Sequence, residues 1–196
     1  TLEELEPTVQ RAIIAQVEPA QAADILEEMP AKEAAAVLRD VDDVDAQSII
    51  SRMETEAAED VRTILSHDEE SAGGMMATDC IEAHPDETAA TVLERVKAMA
   101  DEAEIFNHIY VLGEGRKLVG ILNLRELMRA PADAAMRDLM TTELVTVAPD
   151  AGRHDVAGLL VKYGFRTIPV VDEQMTFLGA VRMTAVIEEL SPLFRD

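Results

Sequence analysis

Residues 109–127 read IYVLGEGRKLVGILNLREL, and residues 168–186 read IPVVDEQMTFLGAVRMTAV. They align at a constant offset of 59: Ile109 with Ile168, Val111 with Val170, Gly120 with Gly179, Leu127 with Val186. Each holds two short apolar runs around a polar turn and then a helix-like tail, which predicts a β-hairpin followed by a helix. The correspondence extends upstream. Met75–Met99 (MMATDCIEAHPDETAATVLERVKAM) matches Leu139–Tyr163 (LMTTELVTVAPDAGRHDVAGLLVKY) at an offset of 64, with Pro85 on Pro149 and Asp86 on Asp150. The first copy carries five extra residues near DEAEIFNH. Each unit therefore predicts a short strand, a helix, two strands and a second helix.

One such unit would expose the open face of a three-stranded sheet, which is too small to be stable alone. A second copy covers that face about a pseudo-twofold axis and leaves two equivalent clefts between the copies. The apolar helices that remain are suited to pairing two modules as a homodimer.

The first seventy residues carry a different period. Leu5, Val17, Met29, Val41, Met53 and Leu65 stand twelve residues apart. Apolar residues recur eight and nine places after each start, from Ile13 and Ile14 to Val61, where Arg62 breaks the rule. Small residues recur at the fifth place as Ala22, Ala34, Ala46 and Ala58. Pro7, Pro19 and Pro30 fall where a first helical turn tolerates a missing N–H. The pattern predicts helices of about eight or nine residues, marginal alone and stable only when stacked as a solenoid.

The chain has a formal net charge of −22. The first seventy residues hold 19 acids against 5 bases. Such a field repels nucleic acid and anionic lipid and attracts cations or basic protein surfaces. The run Asp40, Asp42, Asp43 and Asp45 admits two readings, a solvated turn or a site for a hard divalent ion, although it lacks the glycine and terminal Glu of a calcium loop. The lone Cys80 excludes an internal disulfide and reads as a small buried hydrophobe. No run approaches the roughly 20 apolar residues of a membrane span. His67, His84, His108 and His154 lack zinc spacing, and neither a P-loop nor a nucleophile triad is present, so no enzyme is expected.

The tandem units resemble a CBS-domain pair. Joined through Ser71–Met76 to an acidic short-helix array, they resemble the cytosolic region of the MgtE magnesium-transporter family, on DEESAGGMM, GILNLREL and FRTIPVVDE. The resemblance implies an α plus α/β fold: a right-handed α-superhelix over residues 1–70, then two β-α-β-β-α CBS domains over 71–134 and 135–196. It implies a regulatory module of a magnesium or other divalent-cation transporter or channel. That module senses intracellular Mg2+ and gates transport by domain rearrangement, on the cytoplasmic face of a membrane entered by a transmembrane continuation of the same polypeptide. The alternative is a soluble adenine-nucleotide sensor with a helical protein-docking domain.

Site residues follow from the same resemblance. Gly120, Asn123 and Glu126 stand where CBS pairs carry Gly-x-x-Ser/Thr-x-x-Asp, which implies ATP or AMP, with Arg125 toward a phosphate and His108 and Phe165 against the base. Read by themselves, Asn123 and Glu126 are equally an N-cap and a first-turn acid. The second copy, with Gly179, Arg182 and Ala185, lacks the carboxylate. For Mg2+ the retained acids are Asp155, Glu188 and Glu189, beside the array's Asp40, Asp42, Asp43 and Asp45. Thr184, Ala185, Gly164, His154 and Lys32 stand where the family carries acids, which leaves a loose, outer-sphere role for the general charge.

Overall fold

A computed structural model describes residues 7–14, 16–99 and 108–190 of the chain. The twelve-residue period becomes five helices: α1 (Pro7–Ile14), α2 (Pro19–Glu27), α3 (Ala31–Arg39), α4 (Asp43–Ile50) and α5 (Thr55–Leu65). Pro7 and Pro19 each open their helix, while Pro30 takes the N-cap position of α3. Each helix packs on the one two ahead of it, α1 on α3, α2 on α4 and α3 on α5. The fifth-place alanines are all buried, which lets helix axes approach closely. Arg62, which broke the apolar pattern, is exposed.

α5 runs to 11 residues, longer than the expected eight or nine. Its C-terminal end is held from outside. The Arg39 guanidinium, at the end of α3, donates to Ile64 O at 3.1 Å and His67 O at 2.9 Å. Both carbonyls lie at or just past the C-terminus of α5, where a cation also complements the helix dipole.

The first unit contains α6 (Ala72–Met75), β1 (Ile81–Ala83), α7 (Ala89–Met99), β2 (His108–Leu112), β3 (Leu118–Asn123) and α8 (Leu124–Leu127). The second contains α9 (Met136–Leu139), α10 (Arg153–Tyr163), β4 (Thr167–Val171), β5 (Phe177–Arg182) and α11 (Met183–Leu190). β1 runs parallel to β2, and β2 antiparallel to β3. In the second unit β4 pairs antiparallel with β5, and the first strand contracts to one parallel bridge, Val147 with Val170. Both hairpins shift register at matching places, Val111/Leu112 and Val170/Val171.

The helical turns α6 and α9 were not anticipated, and each docks on the unit it does not belong to. Ala72 N donates to Ala151 O and Gly73 N to Pro149 O, both at 2.8 Å, and Arg153 N donates to Glu70 O at 3.0 Å. The offset-64 mates repeat all three: Met136 N to Glu87 O, Arg137 N to Pro85 O and Ala89 N to Ala134 O. A little further on, Ala77 bridges Ala180 on β5, and its mate Thr141 bridges Ile121 on β3. α6 consequently places Met75 and Met76 in a core shared by the helical array and the second unit. The first unit's core takes in Phe177 and Ala180 from β5, with Phe177 stacked on Tyr110 at 4.6 Å between ring centres.

The crossings require bare backbone at two mated glycines. A methyl group on Gly120 would run into the Met140 side chain. One on Gly179 would lie 2.5 Å from Ala77 O, an oxygen fixed by Ala180 N at 3.0 Å. The Met140 thioether can swing away but its Cβ, 2.8 Å from that methyl, cannot, and the paired carbonyl moves only by breaking the bridge. Gly179→Ala and Gly120→Ala are each expected to lower unfolding free energy by about 2 kcal/mol or more. Gly158→Ala, inside α10 with open space beyond it, is expected to gain about 0.5–1 kcal/mol. Urea denaturation followed by circular dichroism separates the two losses from the gain, and an undiminished stability in either Gly120→Ala or Gly179→Ala would contradict the assignment.

Candidate functional site

A cleft of about 150 Å³ opens between the two units. His108 at the start of β2 and Asn123 at the end of β3 face each other in register, so the hairpin brings them together. Glu126 follows on α8, and Phe165 enters from the second unit just before β4. Four of the five residues named from the sequence thus line one cavity. Arg125 is exposed and does not line it.

Asn123 is an N-cap in fact. Its Oδ1 accepts from Arg125 N at 2.8 Å, and Glu126 Oε2 accepts from Asn123 N at 3.3 Å, which closes a capping box around α8. The bland reading of these two side chains holds, and they also face the cavity.

Tyr110, Thr141, Glu143 and Thr167 line the cleft as well, and none was named in advance. Thr167 was reachable from the repeat, because it is the offset-59 mate of His108. The mates meet directly: Thr167 Oγ1 lies 2.9 Å from His108 Nδ1, and Tyr110 OH donates to the same hydroxyl at 3.3 Å. The threonine hydroxyl has one hydrogen and two acceptor lone pairs, so while accepting from Tyr110 it can either donate to Nδ1 or accept from it, according to the imidazole tautomer. Burial holds His108 below its ordinary value of 6.5, partly opposed by Glu126. Burial likewise drives the Tyr110 phenol up, so both groups are neutral at pH 7. Ile121, Val145, Phe165 and Pro169 provide the apolar walls.

The acids named for a metal do not gather at one point. Asp42 caps α4, its Oδ1 accepting from Val44 N at 3.1 Å, and Asp43 and Asp45 occupy that helix's first turn. Asp40, Asp42 and Asp45 share a cavity of about 580 Å³ with Glu18. Asp155 is exposed in the first turn of α10. Glu188 and Glu189 stand on α11, with side chains outside the described residues. Among the described residues no three His, Cys, Asp or Glu side chains are placed to hold an ion together.

Carboxylates of the array and the first unit do act on one another at one junction. Asp60 on α5 bonds the Thr78 hydroxyl, with Glu56, Glu82 and Arg116 close enough to act on it. Burial first, then Glu56 and Glu82, raise its carboxyl above the ordinary range, against the pull of Thr78 and Arg116. Arg116 is itself paired with Glu82, at 2.7 and 3.1 Å. No sequence pattern marks this junction, because residues 60, 82 and 116 belong to three separate elements.

Residues 1–70 match the MgtE intracellular N domain family, and residues 72–133 and 136–192 match the CBS domain family. The magnesium transporter MgtE of Bacillus subtilis is 30% identical over 71% of this chain, and that of Thermus thermophilus 31% identical over 67%. The matched regions span 31% and 29% of those two proteins, so the chain corresponds to about a third of their length. Among solved structures, the soluble part of a magnesium transporter superposes with a TM-score of 0.84 at 27% identity, covering 93% of this chain and 72% of that one. The cytosolic domain of the Mg2+ channel MgtE in complex with ATP gives 0.83 at 28% identity, covering 96% and 77%.

Because the folded pKa of His108 lies below the unfolded 6.5, the unfolded chain takes up the proton first as pH falls. Its contribution is complete above about pH 7 and is lost as pH drops through 6.5 toward the folded value, by at most about 1.4 kcal/mol per pH unit. Thermal melts from pH 8 to 5.5 should therefore fall more steeply for the native chain than for His108→Gln. Parallel curves would remove the neutral imidazole from this picture.

Proposed function

The chain belongs to the CBS-domain family, with an MgtE intracellular N domain ahead of its tandem pair and homology to the MgtE magnesium transporters, and on that premise we propose that it is the regulatory, non-catalytic cytosolic part of a magnesium transporter or channel. Among the described residues no helix is long and apolar enough to cross a membrane. In this reading the span is supplied by the same polypeptide beyond the regulatory part. Two copies pair through α10 and α11, where Val161 and Ile187 are 75% and 56% exposed on helices that pack together.

The observation that carries the proposal is the junction at Asp60. There Glu56 of the array and Glu82 of the first unit both raise the Asp60 carboxyl, and Arg116, paired with Glu82, opposes them. Two carboxylates about 5 Å apart at an effective dielectric near 20 repel by roughly 3 kcal/mol. Mg2+ would relieve that repulsion through its hydration shell, in keeping with the absence of an oxygen cage among the described residues. Scarce Mg2+ then lets the array swing away from the first unit, and the rearranged dimer passes the change to the pore. Full switching from about 1% to 99% closed needs a preference of roughly 5.5 kcal/mol for the closed form, which calls for several such contacts per dimer. The cleft between the units would hold an adenine-bearing ligand, a reading supported by the similar MgtE cytosolic domain having been solved in complex with ATP.

Small-angle scattering of the chain at fixed ionic strength should show a more compact particle as Mg2+ rises to millimolar levels. Asp60→Asn should flatten that response by removing one carboxylate without changing the packing volume. An outline indifferent to Mg2+ would argue against the mechanism and leave a nucleotide sensor as the better description.

A further inference from the structure

We propose that the edge of the helical array between the α1–α2 and α3–α4 turns is a docking groove for a cationic amphipathic helix of another protein. The inference stands on the array alone and is independent of the cation response at Asp60 and of any ligand in the cleft.

The twelve-residue period builds the groove and also shows why it is open. Val17, Met29, Val41 and Met53 hold the same place in successive repeats. Met29 and Met53, in the α2–α3 and α4–α5 turns, are buried, and Glu27 Oε1 ties those turns together by accepting from Glu54 N at 2.6 Å. In the turns between, the same place holds the shorter Val17 and Val41, both only partly buried. A cavity of about 580 Å³ opens there, walled by these valines with Ile14, Pro19 and Ile49. Sites that enclose a drug-sized ligand run from roughly 300 to 1,000 Å³, so the space takes several large side chains.

Charge selects what fills it. Glu18, Asp40, Asp42 and Asp45 line the same cavity, and among the described residues no lysine or arginine does. Glu18, at the N-cap of α2, makes no side-chain cap bond. An anion is repelled here. A bare divalent ion would need a set of oxygens converging on one point, which the described acids do not form, and it gains nothing from an apolar floor. A cationic amphipathic helix matches both features. Its apolar side chains fill the floor, while lysine or arginine stems lie along the wall with their heads among the carboxylates. The 19 acids and 5 bases of residues 1–70 steer such a partner toward the array.

Titration calorimetry of the chain in EDTA, with the end-blocked amphipathic peptide LKKLLKLLKKLLKL and with end-blocked hexalysine as a probe of equal charge, tests this. The amphipathic peptide is expected to bind at least tenfold more tightly than hexalysine. Val17→Met with Val41→Met, which supplies the residue that fills the alternate turns, should weaken it by about tenfold without lowering the melting temperature. Glu18→Gln with Asp45→Asn should also weaken it by about tenfold. Asp133→Asn with Glu173→Gln, an equal loss of charge at exposed positions outside the array, should leave it unchanged. Equal binding of hexalysine, or equal effects of the two charge-removing pairs, would reduce the contact to the general field and overturn the groove. Full affinity in a methionine variant that melts like the native chain would overturn it as well, as would no binding of the amphipathic peptide. Self-association of the native chain that the methionine pair abolishes would overturn the choice of occupant and give the groove to a second copy.

Discussion

Neither CBS unit is finished by its own residues. The opening turn of each is tied by three backbone hydrogen bonds to the loop ahead of the long helix in the other, and its next residues bridge the other's last strand. A buried N–H without a partner costs free energy comparable to a lost hydrogen bond, so separating the units would strand donors in both at once. The reciprocity explains why the motif is duplicated. A lone copy has an unpaired strand edge and an unfilled core, and only a second copy supplies both.

The exchange also decides how the helical array is attached. α6 follows the array in sequence and opens the first unit, yet Met75 and Met76 are buried with the second unit's Val147, Ile168 and Val181. Gly73 and Gly74 make the joint possible, since a side chain at either would collide with His67 or with the backbone of Asp68 and Glu69. The array is therefore bonded by packing to one unit and faces the other across a charged junction at Asp60, Glu82 and Arg116. Apolar packing is insensitive to salt, whereas charge contacts respond to cations. The two attachments differ in the property that a cation sensor requires.

Most of the architecture was legible because it is periodic. The twelve-residue spacing and the offsets of 64 and 59 gave the helices, the hairpins and the mated residues, and the mates then recur as hydrogen bonds and register shifts in the structure. The site was legible in part. His108, Asn123, Glu126 and Phe165 share the cleft, while Arg125, named with them, remains outside it. Glu143 and Asp60 were missed because a pattern within one element carries no information on which elements meet. Asp60 is an ordinary helix-surface acid until α5 is laid against Thr78, and Glu143 lies in a stretch whose mate, Asp79, has no assigned role. The acids of DVDDVD admitted two readings, an ion or a solvated turn, and the structure places Asp42 as a cap and Asp43 and Asp45 as first-turn acids at a helix N-terminus.

The cleft and the charged junction are linked by their position. The cleft lies between the two units, with Phe165 and Thr167 on one side and His108 and Asn123 on the other. The array is anchored in the core of the second unit and meets the first at the Asp60 junction, through the Thr78 hydroxyl and through charge. Any shift of the array against the first unit is then also a shift of the second unit against the first, and it changes the width of the cleft. On the proposed function, a ligand that fits the cleft only in the closed arrangement strengthens cation binding at the junction by the factor by which cations strengthen its own, since coupling free energy is reciprocal. The Thr167–His108 bond crosses this same gap at 2.9 Å. A protonated imidazole would donate through Nδ1 to the threonine oxygen, so this contact can persist across the gap with its direction reversed when His108 takes up a proton.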